Sequence, residues 1–332
     1  MRGLDSTIGE TTTIRTTEGQ QMKTHRLGSD GPDCSVVGYG AWEIGGDTWG
    51  PNPDIDAIIE AMRAGFDAGI NWVDSAEIYG SGTSEEITGR ALEGRDDVMI
   101  FTKVAPKPSG SGFAKDEVRA ACEASLKRLG RDTIDLYQLH WPTQDVPVEE
   151  TWEAMAALVE DGLVRFIGVS NFDQEWIGRC EPIHHVDSLQ PELSMLQRRP
   201  RDTGLLDFCA SNGTGVIGYG PLCYGLLTGT VTKDTTFGDW RDGSTGIGYY
   251  KRYFAPDVID GNLERVDQMK PIAERLDCSM AQLALVWVFH QTGVTGAIAG
   301  SRKRDHIVAN AGAGNVVLSE NDLAELNAIL EG

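Results

Sequence analysis

Ile70-Asn71-Trp72-Val73-Asp74 is an apolar run of strand length, and it opens into Ser75-Ala76-Glu77-Ile78-Tyr79-Gly80-Ser81-Gly82-Thr83-Ser84-Glu85, a polar, glycine-punctuated segment. A buried strand that ends on a carboxylate, with a tyrosine five residues later, places two chemical groups just past a strand terminus. The next apolar run, Asp97-Val98-Met99-Ile100-Phe101-Thr102-Lys103, ends on a lysine. The one after it, Thr133-Ile134-Asp135-Leu136-Tyr137-Gln138-Leu139-His140, ends on a histidine. Consecutive parallel strands of a (β/α)8 barrel present their ends at one rim, where the active sites of such barrels lie. Asp74, Tyr79, Lys103 and His140 are therefore expected to converge.

Working outward, strand-like and helix-like runs alternate along the chain, the pattern of βαβ units and a parallel sheet. Strands are expected at 36–41, 70–74, 97–103, 133–140, 163–170, 186–190, 216–219 and 294–299. Helices are expected at 54–68, 84–92, 115–129, 148–160, 174–179, 203–210, 262–275, 279–291 and 303–313, with a surplus terminal helix at 319–330. Eight strands and no shift in composition predict a single (β/α)8 TIM barrel over residues 22–332. The stretch from Cys223 to Ala255, after strand seven, has no periodicity, and it is too long for an idle loop. It is read as a lid or clamp. Residues 1–21 are polar and Thr-rich with no apolar core of a secretory signal, and they are expected to be a disordered tail.

Composition bounds the function. The 332 residues, 40% of them hydrophobic, suffice for a large core. A net charge of −21 argues against nucleic acid, whose phosphates require a basic face. No apolar run reaches the ~18 residues of a membrane span. The cysteines at 34, 122, 180, 209, 223 and 278 show neither C-x-x-C nor paired-histidine spacing, so reduced thiols, a cytoplasmic protein and no metal site are expected.

The four rim residues suit the reduction of a carbonyl, which needs a hydride on carbon and a proton on oxygen. A phenol with an ordinary pKa near ~10 is a weak acid. A neighbouring ammonium favours phenolate, and a carboxylate holds that ammonium in place. Tyr79 is thus the candidate acid–base, Lys103 its tuner, Asp74 the anchor of Lys103, and His140 the group that orients the carbonyl oxygen. Taken singly, each has a plain structural alternative: a rim tyrosine, a solvated lysine, a helix-capping aspartate. Their joint spacing favours chemistry.

A glycine string, Gly213-Thr214-Gly215-Val216-Ile217-Gly218, matches G-x-G-x-x-G. A dinucleotide fingerprint follows a strand and opens a helix. Here a helix precedes the string and a strand overlaps it, so the glycines are read as a turn.

With Lys103 and His140 downstream, Asp74–Gly80 resembles the D-x-A-x-x-Y-G motif of the aldo-keto reductases, closer to their bacterial and channel-β-subunit-like branch. The resemblance runs from about residue 22 to 330. It implies an NADP(H)-dependent enzyme that reduces a small carbonyl substrate or, in reverse, oxidises the alcohol. Ser170, Asn171 and Gln190 are then expected to bind the nicotinamide carboxamide, and Tyr219 to stack on the nicotinamide ring. Tyr219-Gly220-Pro221-Leu222 resembles the family's Y-S-P-L, with Gly220 in place of serine. Gly300-Ser301-Arg302-Lys303-Arg304-Asp305-His306-Ile307-Val308-Ala309-Asn310 resembles G-x-R-x-x-x-Q-x-x-E-N, with His306 and Ala309 departing from it. That motif implies Arg302 as the ligand of an adenosine 2′-phosphate, and Gly300, His306 and Asn310 around the adenosine. The alternative for this segment is a basic, solvated first helical turn. Trp42 and Trp141 are candidate walls of the substrate pocket, or rim aromatics packed on loops. Tyr224, Phe237, Trp240, Tyr249 and Tyr250 sit in the long loop as candidate clamps. A coenzyme-sensing binding subunit with weak reductase activity is the alternative function.

Overall fold

The computed structural model describes residues 22–46, 48–52 and 54–331. The expected disordered tail, residues 1–21, lies outside the described residues. The chain opens with an antiparallel hairpin, β1 (Thr24–Arg26) and β2 (Asp33–Ser35). Then follow β3 (Val37–Gly40), α1 (Ile55–Asp67), β4 (Trp72–Asp74), α2 (Thr83–Ala91), β5 (Met99–Val104), α3 (Lys115–Leu129), β6 (Ile134–Leu139), α4 (Val148–Glu160) and β7 (Val164–Ser170). After α5 (Gln174–Cys180) come β8 (Ser188–Gln190), α6 (Arg199–Asp202), α7 (Leu205–Asn212) and β9 (Gly215–Gly218). The last part comprises α8 (Tyr249–Tyr253), α9 (Ile259–Arg275), α10 (Met280–Phe289), β10 (Val294–Ala299), α11 (Arg304–Ala311) and α12 (Glu320–Glu331). Strands β3 to β10 are all parallel and close into a barrel, β10 pairing with both β3 and β9. This is the expected (β/α)8 barrel.

Local chemistry sets the helix ends. The Asp54 carboxylate accepts hydrogen bonds from the backbone N–H groups of Asp56 and Ala57 and starts α1, which buries Ile58, Ile59, Met62 and Phe66. Ser279 and Gln282 form a reciprocal capping box at α10.

Inside the barrel, side chains alternate inward along each strand. Trp72, Phe101 and Leu136 form an apolar floor, with Trp72 stacked on Phe101 at 5.1 Å. The indole N–H of Trp72 donates to the carbonyl of Ser35 in the hairpin at 2.8 Å, so β1 and β2 plug this end. Gly38 makes room for the indole: a Cβ there would fall 2.2 Å from Trp72 Cζ2. Two residues further along the same strands the inward positions hold Asp74, Lys103 and Gln138. The hydrophobic floor thus carries a polar storey.

Three features depart from the expectations. The hairpin was not anticipated, because three-residue strands leave no measurable alternation. The helix expected at 203–210 runs from 205 to 212, and the short α6 precedes it. The segment 223–255 is folded, with 3₁₀ turns at Cys223–Thr228 and Trp240–Asp242 and with α8. Its apolar residues face different partners in turn, so no helical or strand period emerges. Glu192, buried behind it, staples the segment by pairing with Arg252 and accepting from the hydroxyls of Tyr253 (2.8 Å) and Tyr224 (3.3 Å).

Candidate active site

Asp74 is the last residue of β4, Lys103 lies near the end of β5, and His140 directly follows β6. Tyr79 sits in the turn Tyr79–Gly82 between β4 and α2. That turn is pressed against the loop after β3. Gly80 adopts φ +61°, and a Cβ on it would lie 2.2 Å from the Gly45 carbonyl oxygen, so glycine is required beside the tyrosine. The structure brings the four expected residues together. Lys103 Nζ donates to Asp74 Oδ1 at 2.5 Å and to the Ser75 carbonyl at 2.8 Å, and it stands 3.5 Å from the Tyr79 hydroxyl. The Tyr79 and His140 rings meet edge to face at 5.6 Å.

Burial dominates the electrostatics. It pushes the Tyr79 phenol well above its ordinary pKa, and the charges of Asp74 and Tyr249 add to the push. The Lys103 amine is drawn downward by burial, against the upward pull of Asp74. His140 is held well below 6.5, first by burial and then by the Lys103 charge, so its imidazole is neutral near pH 7. A neutral imidazole offers one donor and one acceptor, and the buried Nδ1 has no partner. The site thus presents a protonated phenol and a neutral imidazole side by side. The expected lowering of the phenol by Lys103 does not dominate here, because burial, and after it the Asp74 charge, push the phenol the other way.

A cavity of about 1050 Å³ runs past Asp74, Tyr79 and His140, and all the residues expected to bind coenzyme or wall the substrate line it, while Lys103 does not. Lys103 is fully buried and meets the cavity through its partners Asp74 and Tyr79. Ser170 donates to the Gln190 carbonyl at 2.8 Å. Asn171, in the left-handed region at φ 64°, donates to Ser170 Oγ (3.0 Å) and the His140 carbonyl (3.2 Å), and accepts from the Tyr219 hydroxyl (2.8 Å). Gln190 donates to Asp74 Oδ2 at 2.8 Å. Tyr219, Gly220, Pro221 and Leu222 form the wall after β9, with Gly220 at φ +68°. Gly300, His306 and Asn310 line the far end near the start of α11, and His306 Nδ1 lies 3.4 Å from Ser301 Oγ. Arg302 also lines this end, but its guanidinium is turned to the loop after β3. It donates to the carbonyls of Glu43 (2.9 Å), Gly50 (3.0 Å) and Pro51 (3.3 Å).

Trp42, in the loop after β3, lines the cavity, 6.4 Å from the Tyr79 ring, 5.2 Å from Trp49 and 6.0 Å from Trp240. Trp141 stacks on the His140 ring at 3.7 Å. From the long loop, Tyr224 and Tyr249 reach the same cluster, and the Tyr249 hydroxyl is 3.2 Å from that of Tyr219. Phe237 lines the cavity from the loop side, whereas neither of the expected clamps Trp240 and Tyr250 does: Trp240 stacks on Trp42, and Tyr250 packs against the core at the edge of the cluster.

Two residues of the site escaped the sequence reading. Arg241 is held bidentately by Asp239 (2.9 and 2.6 Å) over the Trp49 and Phe237 rings, and nothing in an aperiodic loop singles it out. Gln138 touches Asp74 at 3.4 Å without lining the cavity. Its signal was legible: a polar residue in register with His140 on one face of an apolar strand. The G-x-G-x-x-G string lies as read, a turn with Gly213 at φ +76° between α7 and β9. No group of three His, Cys, Asp or Glu suited to a metal occurs among the described residues, and none of their helices is long and apolar enough to cross a membrane.

A family model described as "Aldo/keto reductase family" matches residues 36–331. The chain is 35% identical to aldo-keto reductase YhdN of Bacillus subtilis (strain 168), over 93% of this chain and 94% of that protein. It is 31% identical to a probable voltage-gated potassium channel subunit beta of Oryza sativa subsp. japonica, over 89% and 92%. Among solved structures it resembles the glycerol dehydrogenase of Gluconobacter oxydans at a TM-score of 0.82 and 32% identity, covering 92% and 94% of the two chains. An aldo/keto reductase from Klebsiella pneumoniae in complex with NADP and acetate aligns at a TM-score of 0.73 and 31% identity, over 93% and 95%.

Proposed function

The chain belongs to the aldo/keto reductase family, and from that premise we propose that it reduces a small aldehyde or ketone with NADPH, or oxidises the alcohol in reverse, with Tyr79 as proton donor and acceptor. The observation that carries this reading is Lys103 Nζ, placed between Asp74 Oδ1 at 2.5 Å and the Tyr79 hydroxyl at 3.5 Å at the edge of the cavity.

The residues fit a nicotinamide dinucleotide. The cavity exceeds an ordinary small-ligand pocket of ~300–1,000 Å³. Its Tyr79 end offers the Asn171 and Gln190 amides and the Tyr219 ring, suited to a flat, amide-bearing ring. The other end collects Arg241, Arg302 and Lys303 on a strongly acidic protein, suited to phosphates. When bound, the coenzyme supplies the hydride. His140, neutral, donates a hydrogen bond to the carbonyl oxygen and fixes its position. Tyr79 releases its proton to that oxygen, and the Lys103 ammonium stabilises the phenolate left behind. Trp42 and Trp141 exclude water from the carbonyl. The raised phenol keeps the donor loaded throughout neutral pH, the state that reduction needs.

The test is Tyr79→Phe, which keeps the ring and removes the ionisable oxygen. Carbonyl reduction falls by at least ~10²-fold, within the range of general acid catalysis, while NADPH affinity measured by tryptophan quenching stays near wild type. Undiminished turnover would sink the assignment. The likeness to a channel subunit motivates one rival, a coenzyme-sensing binding subunit. It predicts tight NADPH binding with turnover that stays slow across a panel of aldehydes, ketones and quinones.

A further inference from the structure

Asp74 is buried at the edge of the cavity, and Lys103 takes only one of its two carboxylate oxygens, Oδ1. A buried ion pair persists only when its remaining lone pairs are also satisfied. Oδ2 is met by two amides: Gln190 Nε2 at 2.8 Å and Gln138 Nε2 at 3.4 Å. The amides are tied to each other, since Gln190 Nε2 lies 3.3 Å from Gln138 Oε1. Gln138 is fully buried, and on β6 it is the register partner of Lys103 on β5. The neighbouring strand β7 accommodates it: Gly168 is its register partner, and a Cβ there would lie 3.3 Å from Gln138 Cγ.

We propose that Gln138 is a positioning residue for the reaction: with Gln190 it holds the Asp74 oxygen that Lys103 leaves free, and through Asp74 it keeps the Lys103 ammonium aimed at Tyr79. Gln190 has a double duty in this arrangement. Its Nε2 serves Asp74 and Gln138, which leaves the side-chain Oε1 of this cavity-lining residue available to a carboxamide donor. The proton-transfer group and the coenzyme end of the cavity are therefore joined by side chains of β4, β5, β6 and β8. The inference rests on the Tyr79 reading.

The charged and titratable groups around this cluster are Asp74, Lys103, Tyr79, His140, Tyr249 and, behind Lys103, Glu85. Gln138→Leu keeps the volume and removes the donor. It lowers kcat about tenfold, the effect of one hydrogen bond to a charged group, while KM for the carbonyl and the NADPH Kd from tryptophan quenching stay within about threefold. Gln138→Glu is nearly isosteric and separates hydrogen bonding from packing. As a neutral acid it donates to Asp74 Oδ2, and once ionised it repels Asp74. Its kcat therefore approaches wild type at low pH and falls as pH rises, a profile that wild type lacks. If Gln138→Leu fails to fold, the pH profile of Gln138→Glu decides. A Leu variant with wild-type kcat and pH profile, or a Glu variant whose kcat tracks wild type at every pH, overturns the inference. Tyr79→Phe is run beside both. Full activity in that variant removes the Tyr79 reading itself, whereas an inactive Tyr79→Phe with an indifferent Gln138 removes only the role of Gln138.

Discussion

Trp72, Phe101 and Leu136 form one layer of the barrel interior, and Asp74, Lys103 and Gln138 form the next, each residue two positions from its counterpart on the same three strands. The layers share backbone, twist and burial, yet they are held differently. The floor is held by area: rings stacked at 5.1 Å over a hairpin plug, where each contact is weak and any of several would serve. The upper layer is held by reciprocity. Asp74 Oδ1 needs Lys103, Oδ2 needs the two glutamines, and Lys103 needs Asp74 and the Ser75 carbonyl. Loss of a floor contact leaves a void, whereas loss of an upper-layer partner leaves a buried charge alone. The floor fixes where the strand ends point, and the upper layer decides what they do there.

The comparison can be broken at its apolar side first. Trp72→Ala is expected to cost about 3–5 kcal/mol, the usual range for deleting a buried aromatic, because the indole also anchors the hairpin through the Ser35 carbonyl. Turnover per folded molecule should stay within about threefold of wild type, because the altered layer touches no reacting group. Urea unfolding and active-site titration on one preparation separate the two quantities. A collapse of kcat in fully folded protein would show that the layers are not independent.

Lys103→Met makes the converse change. It keeps much of the side-chain length and strands Asp74 with its amide donors alone. Turnover is expected to fall at least ~10²-fold, about 2.7 kcal/mol in barrier terms. Tyrosine and tryptophan near-ultraviolet circular dichroism should report an intact floor. Activity within tenfold of wild type would mean that the ammonium does not serve Tyr79.

Most of this division is legible in the sequence. Strand ends bearing Asp74, Lys103 and His140 are visible because buried strands are apolar, so a terminal charge stands out against them. The cofactor-end residues at and beyond the ends of β7, β8, β9 and β10 are legible only through the resemblance to the aldo-keto reductase motifs. What stays hidden is reciprocity. No spacing rule reveals that Gln190 gives its N–H groups to Asp74, or that the Arg302 guanidinium is turned to the carbonyls of Glu43, Gly50 and Pro51. Those partners lie up to 259 residues away in the chain, and only closure of β10 onto β3 brings them together. The hairpin plug and the long-loop aromatics are hidden for the related reason that their order comes from packing on several elements at once.

Arg302 tests how far reciprocity extends beyond the barrel interior. Arg302→Ala is expected to weaken NADPH about ten- to a hundredfold and NADH little, if the guanidinium leaves the loop carbonyls for a 2′-phosphate, a charge-assisted contact of roughly 1.5–3 kcal/mol. Equal losses for both coenzymes would instead assign Arg302 to the loop, whose Trp42 and Trp49 line the cavity. Fluorescence titrations of the variant with each coenzyme distinguish the outcomes.

The smallest effect concerns His140, which borders both layers' logic because it is buried like the floor and polar like the storey above. Burial and the Lys103 charge hold its pKa well below the ordinary 6.5. Between that folded value and 6.5 the unfolded chain binds a proton that the folded chain refuses. The stability His140 contributes is therefore complete above pH 6.5 and is lost as pH falls below it. One unit below, the loss is on the order of 1 kcal/mol for a single group. His140→Asn cannot take up that proton, so its urea unfolding free energy should fall less than that of wild type between about pH 7.5 and 5.5, by about that amount. His25, whose pKa burial also lowers, contributes equally to both proteins and cancels. In carbonyl reduction the same neutrality predicts no acidic limb near pH 6.5, since the imidazole does not change charge there. Identical pH dependence of stability in the two proteins, together with a rate limb near 6.5, would show that His140 titrates as an ordinary exposed histidine, and that the upper layer is more open to water than its packing implies.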